Sequence, residues 1–290
     1  MNDYVLFTDV TTDLTVEILK DIDVISINMP FFLDENQIEH YPDYKNISVS
    51  DFYQSLREKT KITTSQINSR TYVEYFEKAL SKGKDILYLG FSSGLSGTMQ
   101  SATIAIEMLK EKYTDRKIYA VDTLCASSGE GMFVYYAALK KKNGMDIEQL
   151  RQWCENSKLN LCHWFTVEDL FFLHRGGRVS KTVAIAGSML KIMPVMHMDN
   201  EGHLMLVDKV RGRHNALEAL AEKMIETAVD LPSQTIFISH GDDIACAKYL
   251  ENYIKSRTAV AKIIIQPVNP IIGAHSGPGT IALFFWGTER

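Results

Sequence analysis

The sequence predicts an α/β fold in two domains, and three observations predict it. Through the first half, apolar runs of strand length alternate with helical patterns, and each run ends in a polar turn. That alternation is the mark of a parallel sheet with helices on both faces. After about Leu159 it gives way to a hairpin and to strands with fewer intervening helices, which predicts a smaller α/β sandwich with a mixed sheet and helices on one side. The chain also has 290 residues, of which 46% are apolar, enough to bury more than one core. The boundary is placed near Lys158, giving an N-terminal domain over 1–158 and a C-terminal domain over 159–290.

Each element follows from its pattern. Tyr4 to Asp9 is a strand; Thr11, Thr12 and Asp13 form an N-cap cluster before a helix over Leu14–Lys20. Asp23–Pro30 is a second strand. Phe31–Tyr53, polar and aromatic with Pro42 inside it, reads as an excursion from the sheet, and Ser50–Leu56 as a short capped helix. Lys61–Gln66 carries hydroxyls ahead of a helix over Ser69–Lys82. The strand at Ile86–Phe91 runs into Ser92-Ser93-Gly94-Leu95-Ser96-Gly97-Thr98, a turn of small residues that opens a helix over Thr98–Lys112. Lys117–Thr123 is the next strand, followed by Ala126-Ser127-Ser128-Gly129, a helix to about Lys142 and another over Asp146–Lys158. In open parallel sheets ligands sit at the carboxyl ends of the strands, which is where these hydroxyl clusters fall.

In the second half, Trp164–Thr166 is a strand and Val167–His174 a short helix ending at Gly176-Gly177-Arg178. Lys181–Leu190 is an apolar helix. Met193–Met198 and His203–Val210 flank the turn Asp199-Asn200-Glu201-Gly202 as a hairpin. Helices over Arg213–Val229 and Ile244–Arg257 alternate with strands at Thr235–Ser239, Ala261–Gln266 and Ile281–Trp286.

Composition narrows the function. The net charge of -5 argues against nucleic acid as a main partner, because phosphate neutralisation needs a basic face. Cys125, Cys154, Cys162 and Cys246 form no C-x-x-C pair and read as buried thiols of a reducing cytosol. The start, Met1-Asn2-Asp3-Tyr4, has no signal-peptide pattern, and no apolar run has the length of a membrane span, so the expected location is the cytoplasm. No P-loop, G-x-G-x-x-G, H-E-x-x-H or G-x-S-x-G occurs, and the eight histidines are scattered, so no nucleotide, metal or nucleophile-elbow motif is present.

What remains is a set of anion-friendly donors. Thr64 and Ser65 lie at one turn, Ser92, Ser93 and Ser96 at a second, and Ser127 at a third. Unpaired N–H groups and short hydroxyls at a helix N-terminus suit a carboxylate or phosphate; an ordinary capped helix after a glycine turn is the competing explanation. Arg178 follows two glycines that also suit a helix end, at a junction where it can seal or swing. Arg211 and Arg213 are the kind of arginines most often left solvated. His275 sits in Gly273-Ala274-His275-Ser276-Gly277-Pro278-Gly279-Thr280, with a functional and a structural role both open, and Asp9 and Asp122 are candidates to tune it.

Those pieces resemble the DegV family of bacterial fatty-acid-binding proteins. The resemblance is carried in order by Thr64-Ser65-Gln66, the Ser92–Thr98 turn with Gln100-Ser101-Ala102, Val121-Asp122-Thr123 with Ala126-Ser127, and Glu168-Asp169-Leu170 with Arg175-Gly176-Gly177-Arg178-Val179-Ser180. Lys209–Arg213 and Gly273–Thr280 complete it. Thr8–Leu14 only approximates the family's D-S-T-S-D-L, Ile67 stands where a proline is frequent, and Met99 where a tyrosine is. The resemblance implies two domains around a long-chain fatty acid whose carboxylate is held by Thr64, Ser65 and Ser93, with His275 nearby and Arg178 at the mouth. It implies no cofactor and no catalysis by the chain alone. A separate ATP-dependent fatty acid kinase subunit would phosphorylate the bound acid, with Lys209–Arg213 facing it.

Elementary energetics agree. Each buried methylene contributes about 0.8 kcal/mol, whereas a carboxylate cannot be buried unpaired. Hydroxyls and one histidine can pair it without a lysine. Two rivals stand beside this reading: a serine acyl-transfer enzyme using Ser93 or Ser96 with His275, and a binding module for a phosphorylated or polyhydroxy metabolite that uses the same donors without an apolar tunnel.

Overall fold

The computed structural model describes residues 3–186 and 192–290. The N-terminal sheet has four parallel strands in the order β2-β1-β6-β7: β1 Tyr4–Asp9, β2 Val24–Ile27, β6 Asp85–Gly90 and β7 Ile118–Asp122. Strand alternation sorts its side chains onto two faces. Phe7, Ile86, Tyr88 and Ile118 face a core built with α2 (Val49–Arg57), α3 (Ser69–Leu80) and α4 (Thr98–Lys112). Leu6, Leu87, Leu89 and Val121 face the other way, toward α1 (Val16–Asp21), α5 (Ser128–Lys142) and α6 (Ile147–Ser157).

The C-terminal sheet is mixed, with six strands in the order β10-β9-β8-β13-β11-β12. Its strands are β8 Leu161–Thr166, β9 Ile192–Met198, β10 Leu204–Arg211, β11 Thr235–His240, β12 Lys262–Pro267 and β13 Ile281–Trp286. One face packs on α9 (Arg213–Thr227) and α10 (Ile244–Arg257) through Trp164, Ile236, Ile238, Leu283 and Phe285. The helices are not confined to that side, contrary to the one-sided arrangement expected from the sequence. Phe165, Met196, Phe237, Ala282 and Phe284 on the other face join the same core as Phe133 and Val134 of α5. Helix α5 therefore lies between the two sheets, which is why Ser128 to Val134 are all buried and why its sequence carries no amphipathic stripe.

Three elements depart from the sequence-based expectation. The excursion after Phe31 belongs to a third sheet, three-stranded and of order β4-β3-β5, built from β3 Met29–Leu33, β4 Asn36–His40 and β5 Ile62–Thr64. Its two-residue turn, Asp34-Glu35, lacks glycine, and Asp34 takes a positive φ of 52° itself. The cluster Thr11-Thr12-Asp13 does not cap α1. Asp9 caps a single 3-10 turn over Val10–Thr12, and Thr15 caps α1. The glycine-rich stretch near the end contains α11, Pro270–Ser276, with Asn269 as N-cap and proline at its first position. The short helices α7 (Leu170–Arg175) and α8 (Lys181–Ala186) follow β8; residues 187–190 of the expected Lys181–Leu190 helix lie outside the described residues, as do Met1 and Asn2.

The hairpin tip of β9 and β10 rests on the turn that follows β6. Ser92 Oγ donates to the Gly202 carbonyl at 2.9 Å. A Cβ on Gly94 would stand 2.7 Å from the Glu201 carbonyl oxygen. The first half of the Ser92–Thr98 stretch thus receives the C-terminal sheet. Gly94→Ala is expected to lower stability by about 1–3 kcal/mol through this overpacking; thermal denaturation checks it, and an unchanged midpoint would mean that the hairpin does not bear on Gly94.

Candidate functional site

A largely apolar cavity lies between the two sheets, beyond the carboxyl ends of the parallel strands. Thr11 after β1, Phe91, Leu95, Ser96 and Thr98 after β6, and Ala126 and Ser127 after β7 line one side. Phe165, Met198, Leu204 and Phe284 line the other. Its empty space is about 850 Å³, a figure that includes solvent at the mouth. A second, polar cleft lies outside it, and Met29, Thr64, Ser96, Arg178 and His275 belong to the walls of both. These residues form the rim where apolar interior meets polar exterior.

His275 reaches the rim from the last turn of α11. That helix packs against α2, and a Cβ on Gly273 would stand 2.7 Å from Tyr53 Oη, so only glycine lets the two approach this closely. His275 Nε2 lies 2.8 Å from Thr64 Oγ1, the last residue of β5. Its Nδ1 is buried without a partner among the described residues. A Cβ on Gly176 would overlap that same Nδ1, which explains the first glycine of Arg175-Gly176-Gly177-Arg178. Gly177, at φ 75°, turns the chain so that Arg178 comes back to the rim. There Arg178 Nε donates to the Leu95 carbonyl at 3.1 Å and Nη1 to the Gly176 carbonyl. Burial, and secondarily the nearby Arg178 charge, bring His275 down to about 4, so its imidazole is neutral at pH 7.

Of the five residues expected to bind, the fold brings Thr64, His275 and Arg178 together and leaves two apart. Ser65 is half-buried, off both walls, with its hydroxyl 3.4 Å from the Gln66 carbonyl. Ser93 is exposed, with its N–H donating to Asp122 at 3.3 Å, and it lines neither cavity. Ser96 takes the rim position instead, its Oγ 2.9 Å from Thr98 Oγ1. The turn must spend Ser92–Gly94 on the hairpin before it can face the cavity. Neither Asp9 nor Asp122 touches His275: Asp9 binds Thr11 and Tyr88, and Asp122 binds the N–H groups of Ser93 and Leu124. Arg213 is half-buried rather than solvated and pairs with Asp243 at 3.0 Å. Arg211 is exposed.

Two features escaped sequence reasoning. Ser276, beside His275, is 6% exposed and lines the cavity with an Oγ that has no partner among the described residues; its adjacency to His275 was the only signal. Asp13 is the other. Five donor groups lie within hydrogen-bond distance of its buried carboxylate: the hydroxyls of Ser127, Ser128 and Ser239, and the N–H and amide of Asn269. Asn269 in turn caps α11 through Oδ1, so Asp13 fixes the helix that carries His275. Nearby, Thr11 Oγ1 stands 2.5 Å from Asp9 Oδ1 and 2.6 Å from Glu130 Oε2. One hydroxyl hydrogen serves one acceptor, so one of these carboxyls carries a proton. Burial raises both, Glu130 well above the ordinary range, with the Asp9 charge adding to the rise.

Asp13→Ala is expected to destabilise by at least about 3 kcal/mol, because several buried donors lose their acceptor together; a denaturant midpoint within experimental error of the parent would refute the role. His275 gives a pH dependence. Its folded-state pKa, about 4, lies below the ordinary value of 6.5. The stabilisation is therefore complete above pH 6.5 and is lost as pH falls through about 4, where the unfolded chain has already taken up the proton. His275→Gln should lose less stability between pH 7.5 and pH 4.5 than the parent; parallel urea-midpoint curves would contradict the assignment.

Comparison with known proteins adds an independent line. The family model described as uncharacterised protein, DegV family, matches residues 4–288. A DegV domain-containing protein of Clostridium perfringens is 41% identical over 290 residues, covering 100% of this chain and 99% of that protein. A Thermotoga maritima protein whose structure is described as revealing fatty acid binding function superposes with a TM-score of 0.83 at 28% identity, over 99% of this chain and 100% of that one. A DegV family protein of Thermus thermophilus, described by its fatty acid binding, superposes with a TM-score of 0.86 at 26% identity over the same shares.

Proposed function

The chain belongs to the DegV family, and on that premise we propose that it binds a long-chain fatty acid, with the tail in the apolar cavity and the carboxylate at the Thr64–His275 pair. The observation that carries this reading is the rim itself: an apolar chamber ends at a hydroxyl–imidazole pair beside a guanidinium, and a polar cleft begins there. Burying about a dozen methylenes contributes on the order of ten kcal/mol before ordering costs. The head group needs donors, since a buried carboxylate without them is not tolerated. Thr64 donates its hydroxyl hydrogen to the carboxylate and accepts from His275 Nε2–H, so the imidazole sets the direction of the threonine hydroxyl. Arg178 and Ser96 complete the set, and the units 1–158 and 159–290 close on the ligand from either side. Ser65 and Ser93 act on this reading only by shaping their turns.

The acid's carboxylate then faces the outer cleft, where a separate ATP-dependent fatty acid kinase subunit reaches it. A carboxylate oxygen attacks the terminal phosphorus of ATP, the bond from that phosphorus to the β–γ bridging oxygen breaks, and acyl phosphate and ADP result. No base is required of this chain, because the attacking group is already ionised. The chain is a cytoplasmic carrier rather than an enzyme. Against serine acyl transfer, His275 Nδ1 has no acceptor to orient the ring, and Ser96 Oγ pairs with Thr98 instead of with His275. Against a polar metabolite stand the apolar cavity walls.

Native mass spectrometry with lipid extraction should find one fatty acid per chain. Thr64→Val and His275→Ala should each weaken fatty acid affinity about tenfold or more, the equivalent of one hydrogen bond to a charged group at roughly 1.5–3 kcal/mol. A protein that arrives without lipid and takes up neither palmitate nor oleate would defeat the proposal.

A further inference from the structure

One part of the apolar cavity wall, away from the rim, is held from outside by a single side chain. Ala126, His163, Met198 and Leu204 line the cavity and do not belong to the outer cleft. They come from the loop after β7, from β8 and from the two arms of the β9–β10 hairpin. Arg290, half-buried in the segment after β13, reaches all three pieces. Its Nη1 donates to the Asp199 carbonyl at 3.0 Å, at the hairpin tip that joins the paired Met198 and Leu204. Its Nε donates to the Leu161 carbonyl at 3.2 Å, and that carbonyl also accepts from His163 Nδ1 at 3.1 Å. Its Nη2 donates to the Lys158 carbonyl at 3.0 Å and lies 3.4 Å from Cys125 Sγ, one residue before Ala126.

The segment that carries Arg290 is itself fixed. The Gly287 N–H donates to the Asn160 carbonyl at 2.8 Å and the Thr288 N–H to the Thr227 carbonyl at 3.1 Å. Asn160 Nδ2 donates to the Thr288 carbonyl at 2.9 Å. A Cβ on Gly287 would stand 2.6 Å from Cys162 Sγ, so this backbone lies directly against β8. The hairpin tip is thus gripped at two points, by Ser92 through the Gly202 carbonyl and by Arg290 through the Asp199 carbonyl. The His163 ring is gripped at both nitrogens, since Nε2 accepts from the Ala126 N–H at 3.3 Å. A carbonyl only accepts and an amide N–H only donates, so the ring proton sits on Nδ1. A planar guanidinium serves several acceptors at once in a fixed geometry, which an ammonium on a flexible stem does not.

We propose that Arg290 is a positioning residue for ligand selectivity: by fixing the hairpin tip, His163 and Ala126 relative to one another, it sets the length of acyl chain that the cavity accepts. The inference rests on the fatty acid reading above, in which the head group is held at the rim and the chain ends against this wall. Arg290 does not line the cavity; it acts through the four residues that do. A wall packed to native density rejects a slightly longer chain by overlap, whereas a wall free to shift admits it.

The test measures affinity for the saturated acids laurate, myristate, palmitate, stearate and arachidate in the parent protein, Arg290→Gln and Arg290→Lys, with thermal melts to confirm each fold. In the parent, affinity should rise with length to an optimum and then fall about tenfold or more for the next acid in the series. In Arg290→Gln that fall should shrink by about fivefold or more, while laurate, too short to press on the wall, stays within about twofold of the parent. Arg290→Lys keeps the stem and the charge but not the planar donors, so it should show the same selective change, and it carries the test where Arg290→Gln does not fold. A merely structural role would weaken short and long acids alike. An equal change across the series, no change in either variant, or a parent without a fall beyond an optimum overturns the role of Arg290 and leaves the fatty acid reading standing. A parent protein that binds none of the acids overturns both.

Discussion

Asp13 is a buried carboxyl group, 4% exposed, with no cation beside it among the described residues, and the geometry of the site follows from how it is satisfied. Its donors come from the start of α5, the end of β11 and the cap of α11. Asp13 itself follows β1 of the parallel sheet, and those segments belong to the mixed-sheet half and to the helix between the two sheets. Because an unpaired buried charge is far more costly than a misplaced loop, the three segments are held in one arrangement. His275 inherits its position from that arrangement through Asn269 and one turn and a half of helix.

The cavity above this hub separates two kinds of chemistry over a short distance. Its walls are apolar although several hydroxyl residues contribute to them, because most of those hydroxyls bond to the protein. Thr11 and Ser127 serve the buried carboxylates, Ser96 and Thr98 serve each other, and Thr280 Oγ1 lies within hydrogen-bond distance of the Ser276 and Gly277 carbonyls. Among the described residues Ser276 Oγ and His275 Nδ1 are the exceptions, the first on the wall and the second packed against Gly176. Charge follows the same division. The rim offers a neutral imidazole and a single guanidinium, and the ammonium groups stand in the outer cleft.

The glycines of the family-like motifs resolve into separate physical tasks. Gly94 admits the hairpin tip, Gly176 admits the His275 ring, and Gly273 admits the Tyr53 hydroxyl. Each is a close approach between segments far apart in the chain. A turn signal in the sequence therefore marks the position without naming the neighbour.

The parallel and mixed sheets, the long helices α4, α5 and α10, the hairpin at Asp199–Gly202 and the family itself were legible in the sequence, because periodicity and turn chemistry are local and the motifs recur in order. Helix α11 was also signalled, by Asn269 and Pro270, but its glycines obscured it. Which hydroxyls face the ligand cavity was not legible. Ser93 and Ser96 are three residues apart on one turn of like composition, and only the docking of the β9–β10 hairpin decides that the first faces solvent and the second the rim. The same holds for Asp13, whose donors lie more than 110 residues away in sequence. Local sequence determined the elements and the donor inventory; the packing of two sheets about one helix decided which donors meet, because burial and hydrogen-bond satisfaction are properties of segments brought together in space.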